Sequence, residues 1–118
     1  MEAADFDAEV GADLEKPGAQ AKFTMIMKHL RVLARAQPAH RLRILKGLKQ
    51  MDRKVAVTGH TIADVDAIHH ADVGLAMGSG CSAAKGVSDM ILTADDFEAT
   101  LRAVMWGRNI YHNVSRFL

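Results

Sequence analysis

Residues 55–77 read VAVTGHTIADVDAIHHADVGLAM, and this stretch decides the fold. Two short apolar runs, residues 55–57 and 73–77, flank a polar segment with helical spacing, a pattern typical of a strand-helix-strand unit. Such units form parallel sheets with right-handed crossovers. Thr58 and Gly59 follow the first run, at the edge where ligands of open α/β sheets bind. The sequence therefore predicts an α/β fold with a functional loop that begins at Thr58.

The segments on either side continue the same architecture. Apolar residues at helical spacing predict an amphipathic helix over residues 39–51, and a second helix is expected from residue 62 to about residue 70. A short helix over residues 82–87 and a strand over residues 90–93 follow. A long amphipathic helix begins after Asp95 and Asp96, whose carboxylates suit a helix amino terminus.

Composition limits the class of protein. The 118 residues fit one domain, and 49% hydrophobic with 5% aromatic residues predicts a core of aliphatic side chains and methionine. The single cysteine, Cys81, excludes an internal disulfide and fits a reducing compartment. No apolar run approaches the roughly 18 to 20 residues that a transmembrane helix needs. We therefore expect a soluble chain.

Charge is distributed unevenly along the chain. Residues 1–16 contain six acidic residues and only Lys16 as a base. This acidic opening has few large apolar residues, so residues 1–20 are predicted to be a disordered lead. The bases after residue 20 are dispersed and lack interleaved aromatic residues, which argues against nucleic acid as a partner.

Several separate blocks resemble one family. Residues 30–36 (LRVLARA), 71–78 (ADVGLAMG), 88–93 (SDMILT) and 103–111 (AVMWGRNIY) resemble, in order and spacing, the phosphorylation domain of the P-type cation ATPases, and most of all the calcium pumps of plasma-membrane type. The resemblance extends from about residue 30 to residue 118. It implies ATP-driven calcium transport with Mg²⁺ and ATP as cofactors, in a membrane protein whose phosphorylation domain lies on the cytoplasmic side.

The same resemblance refines the fold and its division into domains. It implies a partial haloacid-dehalogenase-like (Rossmann-like) parallel sheet with flanking helices and a long C-terminal helix. After the acidic lead at residues 1–20, we expect a partial phosphorylation domain at residues 21–96. Residues 97–118 are then a stalk helix that leads toward a membrane helix outside this sequence.

The signature loop of the family, T-G-D-G-x-N-D, is altered here. Residues 58–64 read TGHTIAD, so only the Thr-Gly pair and the last aspartate, Asp64, remain. In the family, the first aspartate helps to hold Mg²⁺, the second glycine lets the backbone come close, and the asparagine contacts the phosphoryl group. His60, Thr61 and Ala63 stand at those three positions. Since Mg²⁺ requires hard oxygen ligands in near-octahedral geometry, imidazole is a poor substitute.

Other parts of the catalytic machinery are altered or absent. Arg41 follows Pro38-Ala39-His40 where the family has a phosphate-facing lysine, so the charge remains but the donor geometry changes. The D-K-T-G-T motif that carries the phosphorylated aspartate of the family does not occur in these 118 residues. Thr58, Gly59 and Arg41 remain as candidate phosphate-binding residues, and Asp64 remains as a candidate metal ligand. We expect the chain alone to bind neither Mg²⁺ nor ATP.

Two other metal sites are conceivable in this segment. His60 and Asp64, four residues apart, could start a zinc site with His69 or His70. Asp64 and Asp66 could form a surviving pair of carboxylates. The simpler interpretation, scattered polar residues in an altered loop, is favoured because no third ligand is fixed by spacing.

Three functions remain open. The chain is a fragment of a P-type calcium pump that is inactive alone, or a catalytically dead phosphorylation domain that acts as a binding or regulatory module. In the latter case its partner is an intact pump or the rest of the polypeptide. The third is a stand-alone haloacid-dehalogenase-like phosphatase, for which Asp5 and Asp7 give the only D-x-D pattern near the start, without a preceding apolar strand.

Overall fold

The computed structural model describes all residues from 1 to 118. In chain order the elements are α1 (Ala3–Val10), α2 (Ala19–His29), α3 (Pro38–Gln50), β1 (Ala56–Gly59), a 3-10 turn (Ile62–Asp64), α4 (Val65–His70), β2 (Val73–Met77), α5 (Ser82–Val87), β3 (Met90–Leu92) and α6 (Glu98–Phe117). The chain divides into two compact units. The first contains Met1–Ala56 and His70–Asp72, and the second contains Val57–His69 and Val73–Leu118.

The first unit has a core made by its first two helices. Phe6 and Phe23 are fully buried, and their rings meet edge to face with centroids 6.2 Å apart, an arrangement that aromatic pairs favour. Val10 completes the buried cluster, against which side chains of α3 pack. The prediction of a disordered lead at residues 1–20 is therefore wrong for Ala3–Val10. Phe6 and Val10 pack this acidic segment against Phe23 of α2.

Polar contacts fix α1 to α3. The Asp7 carboxylate accepts a hydrogen bond from His40 Nε2 at 2.9 Å and pairs with the Arg43 guanidinium. The backbone N–H of Gln37 donates to His40 Nδ1 at 2.9 Å, so the ring proton is assigned to Nε2. The hydrogen bonds from His40 and then Arg43 hold the pKa of Asp7 below its ordinary value. Asp7 therefore serves as a structural contact of a helix and does not follow a strand.

The second unit is built on a small sheet. Its strand order is β1-β2-β3, and β2 pairs with β3 in parallel, with Ala76 opposite Ile91. Ile68 of α4 is buried beside this sheet, and a Cβ at Gly74 would come within 2.7 Å of the Ile68 side chain. Glycine at that position therefore allows α4 to approach β2 closely.

The predicted elements of this unit are confirmed with small shifts. β2 and α5 have the predicted bounds, and β3 ends one residue earlier than predicted. β1 begins at Ala56 instead of Val55, because the Val55 N–H donates to the Asp72 carboxylate at 3.0 Å. That hydrogen bond lies wholly within the first unit.

The last helix, α6, is long and exposed. None of its residues is buried. The Asp96 carboxylate accepts from the Glu98 N–H at 3.0 Å, as expected for an acid before a helix, whereas Asp95 accepts from the Ser79 N–H at 2.9 Å. No helix in the structure, α6 included, combines the length and the apolarity needed to cross a membrane.

Candidate functional site

The candidate loop begins within β1. Thr58 and Gly59 are the last two residues of that strand, and His60 leaves it. A Cβ at Gly59 would lie 2.6 Å from Asp64 Cβ and 2.7 Å from Ile68 Cδ1. Glycine is therefore needed at this position for packing inside the unit, apart from any role toward a ligand.

Asp64 closes the loop on itself. It is only 7% exposed, and its Oδ2 accepts hydrogen bonds from the His60 N–H, the Thr61 N–H and the Thr61 hydroxyl, each at 3.0 Å. In return the Asp64 N–H donates to the Thr61 carbonyl at 3.0 Å. That backbone bond belongs to the 3-10 turn, and the Thr61 and Asp64 side chains form a capping box at its start, in which the Asp64 carboxylate accepts from the Thr61 N–H. The surviving aspartate of the loop therefore satisfies backbone groups of the loop itself.

The His60 side chain contacts the next loop. Its Nε2 lies 3.0 Å from Ser79 Oγ, and the His60 carbonyl accepts from the Cys81 N–H at 2.9 Å. Hydrogen bonds from the Ser79 N–H and hydroxyl lower the pKa of Asp95, and the charges of His60 and Lys85 contribute further. Because the Ser79 hydroxyl donates to Asp95, we assign His60 Nε2 as the donor to Ser79 Oγ. A chain of hydrogen bonds thus joins the loops after β1, β2 and β3.

The residues predicted for a zinc or double-carboxylate site do not form a cluster of three metal ligands. The Asp64 carboxylate accepts from the His60 backbone N–H. Exposed Asp66 lies two residues further along the chain, where helical side chains do not share a face. His69 and His70 are exposed on α4. No group of three or more His, Cys, Asp or Glu side chains is placed to hold a metal ion.

Arg41 belongs to the other compact unit. It is exposed on α3, in the unit of Met1–Ala56, whereas the loop from Val57 onward lies in the second unit. Arg41 remains a candidate phosphate contact only because of its positive charge and its position in the sequence after Pro38-Ala39-His40.

The loop does not fit the magnesium ion that its pattern implies. Mg²⁺ takes oxygen ligands with near-octahedral geometry. At the position of the missing aspartate the chain presents an imidazole that is bonded to Ser79, and Asp64 Oδ2 already accepts three hydrogen bonds. The groups present stabilise a closed loop, and they include no cluster of three or more side chains placed to hold a metal ion.

Two residues of this cluster were not predicted from the sequence, Ser79 and Asp95. Ser79 lies between Gly78 and Gly80, where an added Cβ would meet backbone oxygens at 2.8 and 2.9 Å. The signal in the sequence was the position of each residue just after an apolar run, at the same edge of the sheet as His60.

Comparison with known proteins connects this geometry to one family. The chain is 50% identical over 107 residues to the plasma membrane calcium-transporting ATPase mca-1 of Caenorhabditis elegans, covering 84% of this chain and 8% of that protein. It is 45% identical over 105 residues to human plasma membrane calcium-transporting ATPase 4, with 84% and 8% covered. The Arabidopsis thaliana endoplasmic reticulum-type calcium-transporting ATPase 3 is 37% identical over 95 residues, with 80% and 10% covered.

A solved structure agrees with the sequence relatives. The catalytic domain of the CPx-ATPase CopB-B, studied for its conformational changes upon nucleotide binding, superimposes with a TM-score of 0.56 and 30% identity. The match covers 73% of this chain and 35% of that chain. No protein-family model matches the sequence.

The parallel sheet, the loop after β1 and these relatives define the chain as a segment of a P-type ATPase catalytic domain with a haloacid-dehalogenase-like fold. The relatives named above are calcium-transporting ATPases, and the chain belongs to the P-type calcium-transporting ATPases, being homologous to one domain of the plasma-membrane type. It spans about a tenth or less of the length of these relatives.

Proposed function

We propose that the chain is a fragment of a calcium-transporting P-type ATPase, with residues 21–96 as part of the phosphorylation domain and residues 97–118 as its stalk helix. Alone, it is catalytically silent: it neither hydrolyses ATP nor binds Mg²⁺ together with a phosphate group. In a pump of this kind, its place is on the cytoplasmic side of the membrane.

The closed loop is the observation that supports this proposal. Asp64 holds the His60 and Thr61 backbone groups, and His60 is bonded to Ser79. In phosphoryl transfer, the metal and the groups around the phosphate supply most of the electrostatic stabilisation. Loss of one such contact commonly costs about a hundredfold to a thousandfold in rate. A loop that lacks several of them at once is expected to have no measurable activity.

Restoring the loop tests the proposal. The variant His60→Asp, Thr61→Gly, Ala63→Asn recreates the family pattern around Asp64, and His69→Asp serves as a control that places the same carboxylate on exposed α4. We expect isothermal titration to detect no magnesium-dependent phosphate binding by the natural chain or the control. A gain confined to the restored variant supports the proposal, and tight binding by the natural chain would overturn it.

A second candidate function is a binding or regulatory module whose partner is an intact pump or the remainder of the polypeptide. Two compact units and a loop satisfied by its own hydrogen bonds support it. Co-purification of the tagged 118-residue chain with a plasma-membrane calcium pump tests it. Capture that persists after His60→Asp would support a role independent of the loop, and no capture would remove this candidate.

A stand-alone phosphatase is the least supported function. Asp5 and Asp7 lie within α1, and Asp7 is engaged with His40 and Arg43. A phosphatase of this superfamily needs a nucleophilic aspartate at the end of a strand, and neither residue has that position.

A further inference from the structure

Ser79 lies in a turn whose backbone is held on both sides. The turn follows β2, and an added Cβ at Gly78 would come within 2.8 Å of the Leu92 carbonyl oxygen at the end of β3. A Cβ at Gly80 would come within 3.0 Å of the His60 carbonyl oxygen. The turn therefore packs directly against β3 on one side and against the loop after β1 on the other. Ser79 has a fixed place between the two.

The Ser79 side chain makes hydrogen bonds in both directions. His60 Nε2 lies 3.0 Å from Ser79 Oγ and donates to it. The Ser79 N–H donates to the Asp95 carboxylate at 2.9 Å, and the Ser79 hydroxyl donates to the same carboxylate. One hydroxyl thus accepts from the loop after β1 and donates to the loop after β3, as an O–H group can. We call His60, Ser79 and Asp95 the Ser79 bridge.

The Ser79 bridge ends at the start of α6. Asp95 is followed in the chain by Asp96, whose carboxylate accepts from the Glu98 N–H at 3.0 Å and whose carbonyl accepts from the Ala99 N–H at 3.0 Å. These two bonds begin the helix. Because the peptide group that joins Asp95 to Asp96 is planar and stiff, movement of one residue displaces the other. The whole path lies within the second compact unit.

We propose that the Ser79 bridge couples the loop after β1 to the first turn of α6, with Ser79 as the positioning residue. Opening of the loop breaks the bond to Ser79, frees Asp95 and loosens the helix start, because the bonds share one hydroxyl. This inference rests on the proposed function, in which α6 is the stalk helix. The altered loop thus keeps an influence on the stalk without its metal ligands.

Amide hydrogen exchange of the 118-residue chain tests the coupling at two reporters. The Cys81 N–H is bonded to the loop after β1 at 2.9 Å, and the Glu98 N–H reports on the first turn of α6. In Ser79→Ala both amides should exchange about threefold to tenfold faster, the effect expected when a hydrogen bond is lost. Ser82→Ala is the matched control, since it removes an exposed hydroxyl three residues further along, and it should change neither amide.

Variants of His60 test whether the effect passes through the bridge. His60→Ala should also speed exchange at Glu98, although the two residues do not touch. The double variant His60→Ala, Ser79→Ala should add little to Ser79→Ala alone, because both changes remove the same bond. His60→Gln retains a side-chain N–H donor and should return the exchange of Glu98 toward that of the natural chain. A role of the imidazole in packing alone would give no such rescue.

Several results would overturn the proposal. They are equal acceleration in Ser79→Ala and Ser82→Ala, additive effects in the double variant, and unchanged exchange at Glu98 in both single variants. Faster exchange of the Phe6 amide, in the first unit, would show a global loss of stability and would also refute it. The exchange measurements use neither Mg²⁺ nor phosphate, so their failure leaves the catalytic silence of the chain intact. Conversely, magnesium-dependent phosphate binding would refute that silence and leave the exchange results unchanged.

Discussion

Replacing Asp64 with alanine removes the acceptor that closes the loop, and the cost can be worked from the contacts it makes. Asp64 Oδ2 accepts from two backbone N–H groups and one hydroxyl, all at 3.0 Å, in a residue that is almost fully buried. Hydrogen bonds to a charged group contribute about 1.5 to 3 kcal/mol each. Because Thr61 is exposed and water can replace part of these bonds, we expect a loss of about 2 to 4 kcal/mol in the free energy of unfolding.

The assay combines urea unfolding, followed by circular dichroism, with hydrogen exchange at the His60 and Thr61 amides. Both amides should exchange faster in Asp64→Ala, because their acceptor is gone. Asp66→Ala is the matched control: it removes a carboxylate that is exposed to solvent two residues away, where even an ion pair is usually worth less than about 1 kcal/mol.

Either of two outcomes would refute this structural role of Asp64. One is a loss in Asp64→Ala no larger than that in Asp66→Ala. The other is a natural chain that gains stability with added Mg²⁺ and loses that gain in Asp64→Ala, since Asp64 would then be a metal ligand.

Two further predictions concern the first unit. Hydrogen bonds from His40 and Arg43 lower the pKa of Asp7 below its ordinary value of 3.8. The contribution of the Asp7 carboxylate to the free energy of unfolding is therefore complete above pH 3.8 and is lost as the pH falls through the lowered pKa. When the pH is lowered and unfolding is followed by circular dichroism, the stability of Asp7→Asn should fall less than that of the natural chain. Identical pH profiles for the two proteins would contradict this prediction. A Cβ at Gly47 would lie 2.5 Å from Cε1 of buried Phe23, so Gly47→Ala should cost about 1 to 3 kcal/mol in urea unfolding. Gly86→Ala, which meets nothing within 4 Å, should not destabilise, and equal effects would argue against tight packing at Gly47.

The sequence was sufficient for the elements whose apolar pattern is local. The apolar run at residues 73–77 predicted β2, and the helical spacing of apolar residues over residues 39–51 predicted α3. The first two helices were not predicted from the sequence, and in α1 the acidic composition of residues 1–16 obscures the helical spacing of the apolar residues. Phe6 and Val10 are four residues apart, as are Ala19 and Phe23, and these pairs form the buried faces of α1 and α2.

The site was harder to predict for two physical reasons. The pattern Thr61-x-x-Asp64 is a recognisable capping box, so the structural use of Asp64 could have been inferred from sequence alone. The bond between His60 and Ser79 spans 19 positions, and the pairing of Asp7 with His40 spans 33. Such long-range pairs depend on how the elements pack, which no local pattern specifies.

The most direct test of the central claim is a titration of the natural chain with Mg²⁺ and inorganic phosphate, followed by the backbone amide resonances of His60, Thr61 and Asp64. The closed loop predicts that these resonances stay unchanged, because the hydrogen bonds to Asp64 Oδ2 remain in place. Saturable shifts at these three amides that require both Mg²⁺ and phosphate would contradict the account and show that the loop still binds the metal and phosphate.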